Sequence, residues 1–350
     1  MNTHTAPKGT ASRVEWVDYS KGICILLVVL FHTVNHYTEA TGSAGWMQAV
    51  IDFSKPFRMP DFFLISGLFL ARTINAPLRD YIDRKVVHFA YFYLLWLAIT
   101  FAITDYDVLL SDPARWVGMI GWNILQPVGT LWFVHMLAVF YLTTRIVRRA
   151  PKWAVFLIAA ALQIAHQGGW IDTPSYALNR AMDYYVFFFL GYWAHGAVFA
   201  FVERSQAFRL ATIGGLALWA ALEWILTSNN IAALPGVGLI LGVAGALAVA
   251  SVGGQLAQLE LGRFLRYCGR NSIVIYLTFF FPMMVLVRAL AKTQIVPDAG
   301  WACFLILVAS AASPLAFHAL IRNTPLNLLY VRPGWARLGA PRERLTPATA

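Results

Sequence analysis

A histidine lies deep within the first long apolar run of the chain. Residues 21–37 read KGICILLVVLFHTVNHY, which places His32 and His36 one helical turn apart on the same face. Lys21 precedes His32 by about three helical turns, and Asp18 lies just upstream. An imidazole exchanges protons near neutral pH and suits general-base work on a hydroxyl. A packing histidine bonded to a neighbouring helix is the alternative, and the residues of this run leave both open.

Four further ionisable residues occur within or near other apolar runs: Arg58, Asp61, His135 and Arg288. A charge at the bilayer centre costs at least ~2.5–3.5 kcal/mol, so such residues usually face a bundle interior or a wet cavity. The alternative is that each lies near an interface and extends its polar end to water. The sequence favours an interior position for Arg58 and leaves both open for Arg288.

Composition predicts an all-α polytopic membrane protein. Of 350 residues, 59% are hydrophobic and 13% are charged, and the mean hydropathy is +0.61. A soluble domain carries about 25% charged residues. The net charge of +10 resides mainly at the ends of apolar runs, so it indicates topology and excludes a nucleic-acid partner. The three scattered cysteines form no disulfide framework, and no metal site is predicted.

Ten membrane spans are predicted, with both termini in the cytoplasm. This arrangement places 21 of the 27 Lys and Arg residues inside, as the positive-inside rule requires. It divides the chain into a polar N-terminus (1–16), a membrane domain (17–321) and a basic tail (322–350), whose part from Arg332 onward we expect to be mobile on anionic lipid. The outer stretch 105–128 is predicted not to span. The spans are 17–37, 47–71, 88–105, 129–147, 152–168, 183–202, 210–228, 234–252, 271–291 and 300–320.

Five sequence blocks in order resemble the acyltransferase-3 family of membrane acyltransferases, most closely its fucose 4-O-acetylase branch. DYSKGICILLVVLFH is similar to the family's D-x-x-R-G opening, in which an essential histidine follows the arginine after ten residues. Lys21 and His32 match these two positions, with lysine in place of the usual arginine. The other blocks are RMPDFFLISGLFL, LWFVHMLAVFYL, YYVFFFLGYWAHG and YCGRNSIVIYL.

The resemblance implies transfer of an acyl group, most often acetyl from cytoplasmic acetyl-CoA, to a hydroxyl of a glycan on the outer side. His32 would then be the general base or the carrier of an acyl-imidazole intermediate. Arg58 stands where the acetylase branch often has histidine, so anion or oxyanion binding is expected there, with Asp61 to orient it. Phe279 stands near another position that is often histidine in the family.

The resemblance also implies a site for the phosphates of CoA in the first predicted inner loop. Its candidates are Arg79, Arg84, Lys85 and His88. Plain positive-inside charges are the alternative. The partners implied are an acyl-CoA co-substrate, a glycan or glycolipid acceptor and the surrounding lipid of a bacterial inner membrane.

Two other classes of function compete with an acyltransferase. A transporter or flippase would use the intramembrane charges as a substrate path, but it predicts matching broken helices in two halves, and no internal repeat is evident. A membrane scaffold leaves His32, Arg58 and Arg288 without a role. The acceptor, the acyl group and the oligomeric state stay open.

Overall fold

The computed structural model describes residues 14–43, 45–127 and 129–338, and this part of the chain contains helices and no strand. A π-helical segment, Ile82–Val87, joins two of the α-helices. The α-helices are α1 Glu15–Thr41, α2 Met47–Ser54, α3 Arg58–Leu68, α4 Leu78–Tyr81, α5 His88–Thr104, α6 Tyr106–Ser111, α7 Pro113–Leu125, α8 Trp132–Ile146, α9 Lys152–Gln167, α10 Tyr176–Trp193, α11 His195–Ala207, α12 Arg209–Ser228, α13 Val237–Leu259, α14 Arg263–Arg270, α15 Ser272–Thr278, α16 Phe280–Thr293 and α17 Ala299–Ile321.

These helices confirm the all-α membrane class. Each of the ten predicted spans lies on one helix or on consecutive helices. Within the described residues, six helical segments are long and apolar enough to cross a membrane, and the number rises to eight if α10–α11 and α15–α16, bent by 76° and 53°, each count as one span. The predicted span 47–71 is divided into α2 and α3 around Pro56, which has no N–H to continue the helical ladder. The number ten therefore stays a prediction.

Helix α1 occupies the interior of the bundle. It packs against α3, α13, α14, α16 and α17, and 67% of its most apolar window is buried. By contrast, α12 lies at the periphery with 6% of its window buried. Polar side chains near the middle of α1 therefore face protein rather than lipid.

Glycines from the sequence blocks let helix backbones touch. A Cβ at Gly22 of α1 would overlap the carbonyl oxygen of Leu265, and one at Gly269 of α14 would overlap that of Asp18. Gly67 of α3 and Gly191 of α10 make the same kind of contact, with the carbonyl oxygens of Phe188 and Leu64 respectively. Small residues permit such close approach in membrane bundles. Because these four glycines have no side chain, α1 packs directly on the backbone of α14, and α3 packs directly on that of α10.

The described part of the outer stretch, residues 105–127, is largely helical rather than a loop. Pro113 occupies the first turn of α7, and the Asp112 side chain accepts a hydrogen bond of 3.0 Å from the Arg115 backbone. The apolar residues of α7 alternate with small and polar ones, and Trp122 is 64% exposed. Such a helix suits the membrane interface.

The described part of the C-terminal tail is docked, not mobile. Arg332 is buried and donates to the backbone oxygen and the carboxylate of Asp83, at 2.8 and 2.7 Å. Trp96 and Tyr91 donate to the carbonyl oxygens of Leu329 and Leu328, each at 3.0 Å. Residues 325–338 therefore cover one side of α4 and α5. The tail beyond residue 338 lies outside the described residues.

Candidate active site

His32 lies in the interior wall formed by α1, α15 and α16. Its ring centre is 5.5 Å from that of Phe279 and 5.2 Å from that of Phe31. It is half-buried, and no described residue forms a hydrogen bond with its ring nitrogens. A packing histidine would hold a neighbouring carbonyl, so His32 does not fit that alternative. Its nitrogens are available to a substrate.

Arg58 begins α3 beside the same region of α1. Its side chain is 7% exposed, and its Cζ lies 4.0 Å from the centre of the Phe31 ring. Its Nη1 is buried and has no hydrogen-bond partner among the described residues. The guanidinium and the His32 ring both contact Phe31, so the two groups lie in the same region. An interior cation with an open donor is a preformed position for an oxyanion.

Asp61 does not orient Arg58. The carboxylate is fully buried, and its Oδ2 accepts a hydrogen bond of 3.7 Å from the Cys24 thiol of α1. No ion pair joins Asp61 to Arg58 within the described chain. The two residues are three positions apart on α3, but they meet α1 at different levels. Asp61 contacts Cys24, in the predicted inner half of α1, whereas Arg58 covers Phe31.

Three other candidates have different surroundings. His36 stacks 6.5 Å from His32 but pairs its Nδ1 with Glu39 at 3.0 Å, near the end of α1. His135 lies against the outer helices, with its Nε2 2.9 Å from the carbonyl oxygen of Ile124. Arg288 is exposed on α16. Of these three residues the structure brings His36 near His32. Arg288 has the peripheral one of the two positions that the sequence left open.

The beginning of α1 is anchored at the opposite end of the bundle. Asp18 is buried and accepts a hydrogen bond of 3.2 Å from Nε of Arg270 in α14, and Glu15 pairs with Arg266 at 2.7 Å. Asp18 is thus an anchor for α1. Burial raises the pKa of the neighbouring Cys268 thiol to about 11, so this cysteine is a neutral packing residue.

The four basic candidates of the first predicted inner loop separate into two pairs. Lys85 is directed into the bundle, with its Nζ 4.6 Å from the Tyr141 ring centre and close enough to Lys21 for their charges to interact. His88 lies with its ring 5.1 Å from that of Phe92. Arg84 is exposed, and Arg79 donates to the carbonyl oxygen of Leu338. Lys85 thus joins Lys21 in one basic region, and Arg79 and Arg84 lie outside it.

Arg145 of α8 is a candidate site residue that the sequence did not single out. It is 8% exposed, donates to the Ala76 carbonyl oxygen at 2.8 Å, and lies over the Tyr81 ring. Its Nε and Nη1 are buried with no partner among the described residues. In the sequence, Arg145 is one of many basic residues at the predicted inner ends of apolar runs. The π-helical turn that carries Lys85 had no sequence signal either, although such turns are frequent at functional sites.

The fold and these side chains define a helical membrane protein with an open base and cation in its interior and basic groups at one end. Residues 14–320 match the acyltransferase domain of the acyltransferase-3 family, and the chain belongs to that family. It is therefore a membrane acyltransferase.

Two relatives are similar to this chain. Inner membrane protein YcfT of Escherichia coli is 24% identical over 294 residues, which cover 75% of this chain and 78% of YcfT. Nodulation protein NolL of Mesorhizobium japonicum is 20% identical over 158 residues, 45% of this chain and 42% of NolL. No solved structure matches the chain.

Proposed function

We propose that the protein is an O-acyltransferase, and specifically an O-acetyltransferase, that moves the acyl group of a cytoplasmic acyl-CoA to a hydroxyl of a cell-envelope or secreted glycan. The observation that carries this proposal is the placement of His32, whose ring nitrogens have no described protein partner, and the buried open Nη1 of Arg58 on either side of Phe31. A base and an oxyanion donor in one protein interior are what acyl transfer to a hydroxyl needs.

These two groups account for the proton and the charge that the reaction moves. His32 takes the proton of the acceptor hydroxyl as its oxygen attacks the thioester carbonyl, and Arg58 stabilises the negative charge that forms on the carbonyl oxygen. The C–S bond then breaks, and the proton passes from His32 to the CoA thiolate. Attack by His32 itself, followed by transfer from an acyl-imidazole, uses the same residues.

The donor would enter at the end of the bundle where α1 begins. Lys21, Lys85 and Arg145 supply cationic groups there, and Arg145 has two buried nitrogens without partners. Arginine and lysine recognise phosphates through charge-assisted hydrogen bonds. This set, with His88 beside it, is our proposed site for the phosphates of CoA. The inner-membrane location that we propose is also the one that YcfT, an inner membrane protein, has in its name.

The first test uses inside-out membrane vesicles that contain the wild type, His32→Ala or the control His36→Ala. Acetyl-CoA labelled in the acetyl group is added, and label is followed into protein, lipid and polysaccharide. We expect label with the wild type and with His36→Ala, and a loss of about 10²-fold or more with His32→Ala. Equal transfer by His32→Ala would contradict the role of His32. CoA binding without transfer to any fraction would contradict either acetyl as the acyl group or the glycan as the acceptor.

A further inference from the structure

A cavity lies at the end of the bundle opposite the basic region. Its volume is about 960 Å³, and it is bounded by α2, the start of α3, the ends of α9 and α12, the middle of α10 and the segment that leads into α13. Sites for small ligands enclose about 300–1,000 Å³. These elements follow or precede the predicted outer ends of spans, so the cavity opens on the predicted outer side.

The wall of this cavity holds a buried hydrogen-bond acceptor without a donor. Gln163 of α9 is 7% exposed, and its Nε2 donates to the Gln167 side chain at 2.9 Å. Its Oε1 is buried and has no hydrogen-bond partner in the described part of the chain. Oγ1 of Thr227, which also lines the cavity, is likewise buried without a described partner. Burial of an acceptor without a donor is unfavourable, and a ligand that supplies O–H donors would relieve this cost.

The charges around the cavity largely compensate one another. Asp183 accepts from His166 Nδ1 at 2.6 Å and pairs with Arg180 at 3.2 Å. Asp52 and Lys55, of opposite charge, both line the opening. The cavity therefore lacks the excess of cations that an anionic ligand would need. His166 is held by Asp183 in a fixed orientation on the wall.

Aromatic faces complete the lining. Trp224 is 51% exposed, and Phe53 and Tyr184 line the cavity from other elements. A sugar ring presents hydroxyls along its edge and C–H groups on its faces, so it matches amide and hydroxyl partners together with aromatic surfaces.

We propose that this cavity binds the acceptor as an uncharged, hydroxyl-rich glycan. This inference rests on the proposed function for its role in the reaction. Helix α3 connects the cavity with the region of His32. At its start Arg58 covers Phe31, the neighbour of His32, and two residues further along Pro60 lines the cavity. Tyr184 of the lining stacks 5.3 Å from Phe63 of the same helix. A glycan hydroxyl presented past Tyr184 would approach the reacting region from the side opposite the donor.

The test measures protection of a cysteine in the cavity, and it requires no acyl transfer. The three natural cysteines are buried, whereas Ser228 is exposed and lines the cavity. Full-length Ser228→Cys protein in nanodiscs is treated with a charged maleimide in the presence of maltotriose, neutral methyl glycosides, glucuronate or inorganic phosphate. Ser111→Cys, exposed on α6 and outside the lining, is the control. Adding Gln163→Leu or Trp224→Ala tests the wall, with Trp170→Ala as the matched exposed tryptophan outside it.

We expect neutral sugars to slow labelling of Ser228→Cys but not of Ser111→Cys. Gln163→Leu and Trp224→Ala should weaken this protection by about threefold to tenfold, and Trp170→Ala should leave it unchanged. Protection by glucuronate or phosphate alone, protection only by anionic lipid in the nanodisc, or no protection by any neutral sugar would overturn the proposal. Protection without acetyl transfer in the vesicle assay would uphold the glycan site and reject the proposed reaction.

Discussion

At the scale of single residues, Arg58 is distinguished by a buried guanidinium that stacks on Phe31 and keeps one nitrogen open. Replacement by alanine removes the donor that we assign to the oxyanion, so transfer should fall about 10²–10³-fold while acetyl-CoA binding stays unchanged. Arg72, which also lies over a phenylalanine but is exposed, supplies the control Arg72→Ala. Transfer rates and acetyl-CoA binding are measured on the same vesicles. A loss of acetyl-CoA binding by Arg58→Ala would place this residue in the donor site instead.

Adjacent lysine and arginine residues allow a second comparison at this scale. Lys85 is directed toward Tyr141 and Lys21, whereas Arg84 is exposed. We expect Lys85→Ala to raise the KM for acetyl-CoA by about tenfold, because a charge-assisted contact with phosphate is lost, and Arg84→Ala to change it little. Steady-state transfer at varied acetyl-CoA checks both. Equal effects of the two substitutions would mean that general positive charge, rather than a built site, attracts the donor.

His32 and Arg58 were visible as candidates in the sequence because ionisable groups stand out in apolar runs, and the resemblance to the family gave His32, Lys21 and Arg58 their expected roles. It did not predict their surroundings. Whether Arg288 faces lipid or protein depends on the rotation of α16, and hydropathy does not report that rotation. Gln163 and Thr227 are ordinary polar residues in the sequence, and they become notable only because helices far apart in the chain bring them to one cavity.

At the scale of helices, backbone contacts at glycines hold the site in place. α1 carries His32, and its inner half is set against α14 by Gly22 and Gly269. Gly22→Ala should lower the free energy of unfolding by about 1–3 kcal/mol, because the added methyl meets the Leu265 carbonyl. Gly214→Ala, in an open position of α12, should leave stability unchanged or raise it by up to ~1 kcal/mol.

Thermal unfolding of the purified protein in detergent measures this difference. Acyl transfer at a temperature where both variants are folded provides a second reading, since a shift of α1 against α14 would also move His32. Matching midpoints for Gly22→Ala and Gly214→Ala would show that α1 and α14 can separate without cost.

The sequence predicted the positions of most helices but only some of the breaks between them. The sequence predicted α1, α13 and α17 because their apolar runs are long enough to cross a bilayer, and length and hydropathy are sufficient to recognise such helices. Pro56 explains the break between α2 and α3. The bend between α10 and α11, at Ala194, has no proline or other local signal. α7 was missed because its apolar stretch is shorter than a span.

At the scale of the whole molecule, the two ends of the bundle differ in chemistry. One end carries Lys21, Lys85 and Arg145, and the other holds the neutral cavity around Gln163. A reaction between a phosphorylated donor and a glycan fits this polarity if the basic end faces the cytoplasm. The docked segment 325–338 also lies at the basic end, through Arg332 and Asp83. The described chain thus begins and ends on one side of the bundle.

This arrangement predicts the orientation in the membrane. Single added cysteines at Ser228 and Ser111 should react with an impermeant maleimide in intact cells, and one at Arg337 should react only after the membrane is opened, because positive residues are retained inside. The wild type supplies the background, since its three cysteines are buried. Labelling of Arg337→Cys in intact cells would show that the bundle has the opposite orientation, with the basic region outside. A cytoplasmic acyl-CoA could then not reach His32 by the proposed route.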